Sequence, residues 1–215
     1  MNKTRFLVAI LTVFLLQSQA QSQSDEVPKF EVAAEFTTLE RDNFSRKRTE
    51  PGFGGRFTYN LNRVVSLEGA GYFFPKRCFG CQNEGNITEV LGGVKVGKRF
   101  ENWGIFAKAR PGVVSFSQGS VDIIQLPGNL GLPFQLEAHR LNAFAADIGG
   151  VVEFYPSKRI VTRFDAGDTI IHFGRDTRPV FIFNPTTSGF SAIPFPVPAR
   201  TSHNFQFMSS VGFRF

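Results

Sequence analysis

The chain has 215 residues, 42% of them hydrophobic and 20% charged, which is enough for one sizeable packed domain and unlike a disordered protein. Its net charge of +6 is small and dispersed, which argues against a nucleic-acid-binding protein. After residue 16 no apolar run approaches the roughly 18 residues of a membrane helix, which excludes a helical membrane protein. Phenylalanine is unusually common, with 26 residues against one Trp and three Tyr.

Residues 1–20 have the features of an export signal. Lys3 and Arg5 form a basic start, residues 6–16 form an apolar run, and Ser-Gln-Ala at 18–20 is a small-x-small cleavage site. We expect cleavage after Ala20 and a single mature domain of residues 21–215, with 22 basic and 18 acidic side chains. The alternative is a buried N-terminal helix.

Eight segments of the mature chain alternate apolar and polar residues with a period of two, which predicts β-strands with one apolar face. The predicted strands are residues 29–38, 53–61, 64–74, 88–100, 103–116, 140–155, 159–173 and 204–215. Short polar turns are predicted at 62–63, 101–102 and 156–158, and long loops at 39–52, 75–87, 117–139 and 174–203. The sequence therefore predicts an all-β protein.

One strand departs locally from this alternation. Strict parity places Asp168 among the apolar side chains of its strand. Either a β-bulge at Gly167 reverses the phase, or Asp168 lies near a membrane surface. We predict the bulge.

The polar faces of the predicted strands carry equal numbers of cations and anions. They are Arg56, Lys95, Arg99, Lys108, Arg110, Arg163 and Arg214, with Glu31, Glu35, Glu68, Glu89, Asp147, Glu153 and Asp165. In a soluble β-sandwich these faces would meet water, whereas in a membrane barrel they fill a narrow interior and must be paired. The balance favours a barrel with a charged interior network and an apolar outer coat.

Most phenylalanines have the parity of that outer coat. The outward set is Phe30, Phe36, Phe53, Phe57, Phe73, Phe100, Phe144, Phe154, Phe164, Phe205, Phe207, Phe213 and Phe215. The inward parity belongs to Phe74, Phe106, Phe116 and Phe173. The predicted bulge would turn Phe173 outward.

The last strand ends the chain on an aromatic residue. Phe205, Phe207, Val211, Phe213 and Phe215 share one parity, and a terminal Phe preceded by Phe at the third-last position resembles the C-terminal insertion signal of bacterial outer-membrane barrels. Even strand number, short turns at one end and long loops at the other agree with that architecture.

The mature chain thus resembles the small eight-stranded outer-membrane barrels of the OmpA/OmpX type. The resemblance implies an antiparallel up-and-down transmembrane β-barrel in the bacterial outer membrane. Its partners would be outer-membrane lipid and lipopolysaccharide, and the export and barrel-assembly machinery. It implies no cofactor and does not choose among the functions of such barrels.

Three small constellations invite a chemical role. Cys78 and Cys81 are expected to form a local disulfide, because a redox centre or metal site needs a setting or ligands that the sequence does not offer. His139, His172 and His203 fall near the outer ends of three strands, which raises the hypothesis of a metal or proton site. Ser202 and His203 adjoin, but neighbours on a strand point to opposite faces, which argues against catalysis.

Loops 117–139 and 174–203 are unusually apolar for exposed segments. One interpretation is that they form a binding surface for a hydrophobic ligand or partner. The alternative is that they pack against each other or continue the strands. Basic residues of the first two loops are candidates for lipopolysaccharide phosphates: Arg41, Arg46, Lys47, Arg48, Lys76 and Arg77.

We therefore expect a non-enzymatic barrel with a structural or surface-interaction role. The alternatives are a barrel that binds or passes a small hydrophobic ligand, a lipid A-modifying enzyme, and a secreted soluble β protein.

Overall fold

The computed structural model describes residues 27–43, 46–75, 85–125, 134–184 and 189–215. The predicted signal segment with Ala20, both cysteines, Lys76 and Arg77 lie outside these ranges, so the expectations about them stay predictions. Within the described ranges no helix is long and apolar enough to cross a membrane.

Ten strands make up the described chain. They are β1 (Phe30–Asn43), β2 (Arg46–Asn60), β3 (Val65–Phe74), β4 (Ile87–Arg99), β5 (Trp103–Gln125), β6 (Phe134–Phe154), β7 (Ile160–Phe173), β8 (Asp176–Asn184), β9 (Gly189–Val197) and β10 (Arg200–Arg214). Eight of them, β1 to β7 and β10, form a closed antiparallel barrel, which confirms the predicted fold. β8 and β9 pair only with each other as a separate hairpin between β7 and β10.

The barrel closes where its first and last strands meet. The backbone N–H groups of Phe30 and Phe215 each donate to the other residue's carbonyl at 2.9 Å, and their rings stack with centroids 5.8 Å apart. Closure leaves every barrel strand with a hydrogen-bonded neighbour on both sides. A sheet in lipid requires this, because lipid offers no partner to a backbone amide.

The two ends of the barrel differ as predicted. At one end, the turn end, strands are joined by the short connections 61–64, 100–102 and 155–159. At the other, the outer end, strand pairs continue as long hairpins. The predicted short turns are therefore confirmed.

The predicted loop at 39–52 is paired strand, so that prediction is wrong, whereas the alternative that loop 117–139 continues its strands is confirmed for the residues that the structure describes there. Pairing continues to Asn43–Arg46 between β1 and β2 and to Gln125–Phe134 between β5 and β6, with one irregularity after Phe116. Residues 176–184 and 189–197 form the β8–β9 hairpin. The strand at 39–52 was missed because its side chains do not alternate between apolar and polar.

The predicted bulge at Gly167 is also wrong. Pairing runs without a shift through Gly149–Gly167 on one side and Gly167–Gln206 on the other. Asp168 therefore keeps its outward parity, and Phe173 faces inward and packs on the buried core.

The apolar faces of the strands form the outer coat of the barrel. Of the thirteen phenylalanines with outward parity, all but the half-buried Phe73 are at least 37% exposed. In a membrane barrel this coat is the surface that meets the acyl chains.

We expect alanine substitutions at two glycines of neighbouring strands to affect the free energy of unfolding differently. A Cβ at Gly112 would collide with the Val90 carbonyl, whereas one at Gly150 would meet nothing within 4 Å. Gly112→Ala should lower the free energy of unfolding by about 1–3 kcal/mol through overpacking. Gly150→Ala, the matched control, should leave it unchanged. Urea unfolding in detergent micelles measures both, and equal stability of the two variants would contradict the register.

Candidate functional site

The fourteen charged side chains of the predicted network all lie inside the barrel. Thirteen are buried residues, and the side chain of Arg99 is only 4% exposed. They occupy the turn end and the middle of the interior, between the inward faces of all eight barrel strands. Charges so far from water are tolerated only when each is compensated by partners of opposite sign and by hydrogen bonds.

Glu68 on β3 is the centre of this network. Its carboxylate pairs with Arg163 from the opposite side of the barrel and lies 3.4 Å from Arg56, 3.5 Å from Lys95 and 3.8 Å from Arg110. Four cations from four strands therefore share one anion. This arrangement links β2, β4, β5 and β7 through β3.

Most of the remaining anions pair either with these cations or with Lys108, Arg99 and Arg214. Asp165 binds Arg163 at 2.5 Å and Lys108 at 3.1 Å, and Asp147 binds Lys108 at 2.8 Å and Arg110 at 2.5 Å. Near the turn end, Glu153 pairs with Lys95, while Glu31 lies 3.8 Å from Arg99 and 3.7 Å from Arg214. Most of the buried charges thus form one cluster of shared ions around Glu68, and Glu31 forms a separate group with Arg99 and Arg214.

Neutral polar side chains complete the network, and the sequence analysis did not single them out. The Tyr72 hydroxyl donates to Glu35 at 2.5 Å, and Glu35 also accepts from Arg56 at 2.8 Å. Gln206 donates to Glu89 at 2.9 Å and to Thr37 at 3.1 Å. The sequence feature that could have identified them is their inward parity, because polar uncharged side chains at inward positions can hydrogen-bond to the buried charges beside them.

Towards the outer end the interior becomes apolar. A buried cluster fills it, formed by Leu39, Ala70, Tyr72, Phe74, Ile87, Leu91, Val114, Phe116, Ala143, Ala145, Ile171 and Met208. Phe74 and Phe116 belong to the group with inward parity. The bore is therefore filled by charged side chains at the turn end and in the middle, and by this apolar cluster, here called the hydrocarbon layer, towards the outer end.

Arginines lie on top of this hydrocarbon layer. The Arg41 guanidinium sits 5.0 Å from the Phe116 ring centre and that of Arg200 sits 4.9 Å from the Phe173 ring centre, with the two rings 5.6 Å apart. Burial is the main reason that the pKa of Arg41 lies below its usual value. The nearby charges of Arg48 and Arg200 act in the same direction, and Glu50 opposes them.

On the outer surface, Asp168 and His203 form a contact that the alternation of the sequence does not predict. Asp168 faces outward on β7 and its carboxylate binds His203 Nδ1 at 2.6 Å and the backbone N–H of Asn204 at 2.9 Å. Both carboxylate oxygens are thereby engaged. These contacts explain how an outward acid is accommodated between Ile148 and Phe205, its exposed apolar neighbours in the register, without a bulge.

The three histidines do not form one site. His172 and His203 face outward, whereas His139 has the inward parity of β6. His172 Nδ1 lies 3.0 Å from the Thr201 hydroxyl. Among the described residues no group of three potential ligands is placed to hold a metal ion. The shared-site hypothesis for these histidines is therefore wrong.

Ser202 and His203 point to opposite faces of β10. Asn204 donates to the Ser202 hydroxyl at 3.1 Å, while His203 reaches Asp168 on the outer surface. The pair cannot share a proton as nucleophile and base.

The five residues of the predicted insertion signal all face outward. Phe205, Phe207, Val211, Phe213 and Phe215 form an exposed apolar stripe along β10. The proposal that assembly machinery recognises this stripe stays a prediction.

The sequence matches no protein-family model and no curated protein. Among solved structures, Neisserial surface protein A superposes with a TM-score of 0.50 at 10% identity, covering 87% of this chain and 97% of that one. The Ail protein of Yersinia pestis gives 0.48 at 12% identity, with coverages of 88% and 100%. The N-terminal barrel domain of Pseudomonas aeruginosa OprF gives 0.43 at 12% identity, with coverages of 86% and 97%.

At such identities the likeness concerns the fold alone. The chain has the fold of the small eight-stranded outer-membrane β-barrels.

We predict that removing one shared cation destabilises the barrel strongly. Arg163→Met leaves Glu68 and Asp165 buried without a principal partner, which should cost about 3–5 kcal/mol of unfolding free energy. Arg63→Met, in an exposed turn, is the matched control and should have no effect. Urea titrations followed by gel mobility compare them, and near-equal midpoints would refute the central role of the Glu68 cluster.

Proposed function

We propose that this chain is a non-enzymatic integral protein of the bacterial outer membrane that acts through the surface of its outer end. The observation that carries the proposal is the closed barrel with a phenylalanine coat outside and paired charges inside. A soluble protein would expose the charges and bury the rings. Export through the periplasm and insertion by the barrel-assembly machinery would deliver it.

A passive role for the bore follows from what fills it. The ion network and the hydrocarbon layer leave the interior occupied from the turn end to the Phe116–Phe173 level. Small molecules therefore have no continuous path through the described barrel. This favours action at the outer surface over conduction.

The absence of catalysis is part of the proposal. The serine and histidine adjacent in sequence are separated by the wall of the barrel. The buried carboxylates Glu68 and Asp147 are engaged with cations, and Glu89 accepts a hydrogen bond from Gln206. A lipid A-modifying activity would need a nucleophile and base on one face.

The membrane location is tested by fractionating cells that express the full chain. We expect the protein in the outer-membrane fraction, resistant to extraction with carbonate. It should migrate faster on a gel when unheated than after boiling, because the closed barrel resists detergent at room temperature. Recovery as a soluble protein without detergent would overturn the proposal.

A second candidate function rests on the β8–β9 hairpin, which carries exposed apolar side chains at the outer end. Val180 and Ile193 are register partners and therefore share one face, with Ile182 and Phe195 beside them. All four side chains are exposed. We propose that this face, here called the hairpin face, binds a small hydrophobic ligand or an apolar partner surface.

We expect a photoreactive long-chain alcohol to crosslink to residues 180–195. Val180→Glu together with Ile193→Glu places two charges on the hairpin face and should abolish the crosslinks. Thr177→Glu, an exposed position with the opposite parity on the same hairpin, is the control and should preserve them. Mass spectrometry locates the crosslinks. Unchanged crosslinking in the double variant would show that the ligand does not bind to the hairpin face.

A further inference from the structure

The turn end of the barrel exposes an excess of positive charge. Among the described residues, five exposed cations lie there against one exposed anion, Glu101. The cations, here called the basic ring, are Lys29, Arg63, Lys98, Lys158 and Arg159. The buried network leaves all five out, because its anions are engaged inside the bore with other cations.

The basic ring extends around the whole circumference of the turn end. Lys29 precedes β1 at the closing seam, and Arg63 lies in the β2–β3 connection. Lys98 is the last residue but one of β4, and Lys158 and Arg159 lie in the β6–β7 connection. Each of the four places where two strands meet at this end therefore carries at least one exposed cation.

Aromatic side chains with polar atoms mark the level of the basic ring. Trp103, the only tryptophan of the chain, begins β5, and Tyr59 lies one residue from the end of β2. Trp103 stacks on Phe100 with ring centres 4.3 Å apart, and Lys98 Nζ lies 5.3 Å from the centre of the Phe100 ring. Tryptophan and tyrosine collect at the level of the lipid headgroups in membrane proteins. The basic ring therefore lies at that level, where the outer coat ends.

The cations of the basic ring have exposed apolar neighbours. Leu61 and Val64 flank Arg63, and Ile160 follows Arg159. The connections 61–64, 100–102 and 155–159 are too short to carry the charges far from the coat. Long basic side chains at such a border lay their apolar stems on the coat and direct the charge towards water. A partner that suits both parts combines an anionic group with hydrocarbon.

We propose that the basic ring binds the phosphate groups of anionic phospholipids in the leaflet that meets the turn end. The acyl chains of these lipids lie along the coat. A cation near an anionic bilayer surface strengthens association roughly fivefold, and a zwitterionic headgroup gives less because its own ammonium offsets the phosphate. The inference rests on the proposed function, because it requires the coat to lie in a bilayer. The leaflet concerned is the one opposite to that of the outer end.

Trp103 gives a local readout for this proposal, since it is the only tryptophan and lies beside the basic ring. The full chain is reconstituted in phosphatidylcholine bilayers containing a small fraction of brominated phosphatidylglycerol or brominated phosphatidylcholine. Bromine on the acyl chains quenches tryptophan on contact, so the quenching compares how often each lipid lies beside Trp103. We expect phosphatidylglycerol to be preferred, and the preference to decrease as added salt screens the charges.

Two variants change the charge beside Trp103 in opposite directions. Lys98→Gln with Lys158→Gln removes cations on both sides of it, because the 155–159 connection adjoins Asn102 through the Tyr155 N–H. This variant should lower the preference for phosphatidylglycerol about tenfold at low ionic strength. Glu101→Gln removes the exposed anion and should raise the preference.

The matched control removes two exposed cations from the outer end of the barrel. Arg140→Gln with Arg175→Gln should leave the quenching of Trp103 unchanged. A loss of preference as large as that of the turn-end variant would show that the selectivity does not arise at the basic ring, and would overturn the proposal.

The free headgroup separates a lipid-borne phosphate from a dissolved one. Glycerophosphoglycerol, added at constant ionic strength, should not displace brominated phosphatidylglycerol, because it lacks the acyl chains that lie on the coat. Displacement by this compound would identify a phosphate site that needs no lipid, and would overturn the proposal.

The same measurement distinguishes failure of the proposed function from failure of this inference. Quenching by neither brominated lipid would place Trp103 outside the bilayer and refute both. Equal quenching by the two lipids would refute only the inference.

Discussion

The sharing of Glu68 by four cations is the interaction on which the barrel depends. A closed sheet of eight strands leaves a bore that only side chains can fill, and here the fill is ionic. Glu68 is reached from strands on different sides of the bore by Arg56, Lys95, Arg110 and Arg163. The network therefore spans the interior and connects these strands to one another. Removal of any one member leaves opposite charge stranded where water cannot reach it. The outer coat can be largely apolar because most of the charged side chains of the strands find their partners inside.

The interior has two layers with different tasks. Ions at the turn end and in the middle fix which strands face one another, because each pair requires a particular register. The hydrocarbon layer above them packs like the core of a soluble domain and provides a floor for Arg41 and Arg200. The outer surface is where this barrel departs from a uniform coat. Asp168 and His203 form a hydrogen-bonded pair among apolar neighbours, next to the place where β1 and β10 separate.

The alternation of residues predicts the strands, and the balanced charges of their polar faces together with the C-terminal resemblance predict that they close into a membrane barrel. It located the short turns and the inward parity of residues such as Arg163 and Phe74. The outer hairpins were predicted as loops because their pairing depends on backbone bonds rather than on an apolar face. The bulge at Gly167 was predicted because a lone acid on an apolar face is costly. The structure pairs Asp168 with a histidine 35 residues away, which no local pattern shows.

The β8–β9 hairpin has a further property that follows from its prolines. Both of its strands have an open edge, and Pro179 and Pro194 face each other while Pro196 follows two residues later. Proline has no N–H to offer, so the edges cannot serve as templates on which another chain's strand is added. If the chain is exported through the periplasm as proposed, it crosses that aqueous compartment before it inserts, and an apolar hairpin with complete edges would favour self-association there. The hairpin can therefore display an apolar face to the exterior without also seeding a growing intermolecular sheet.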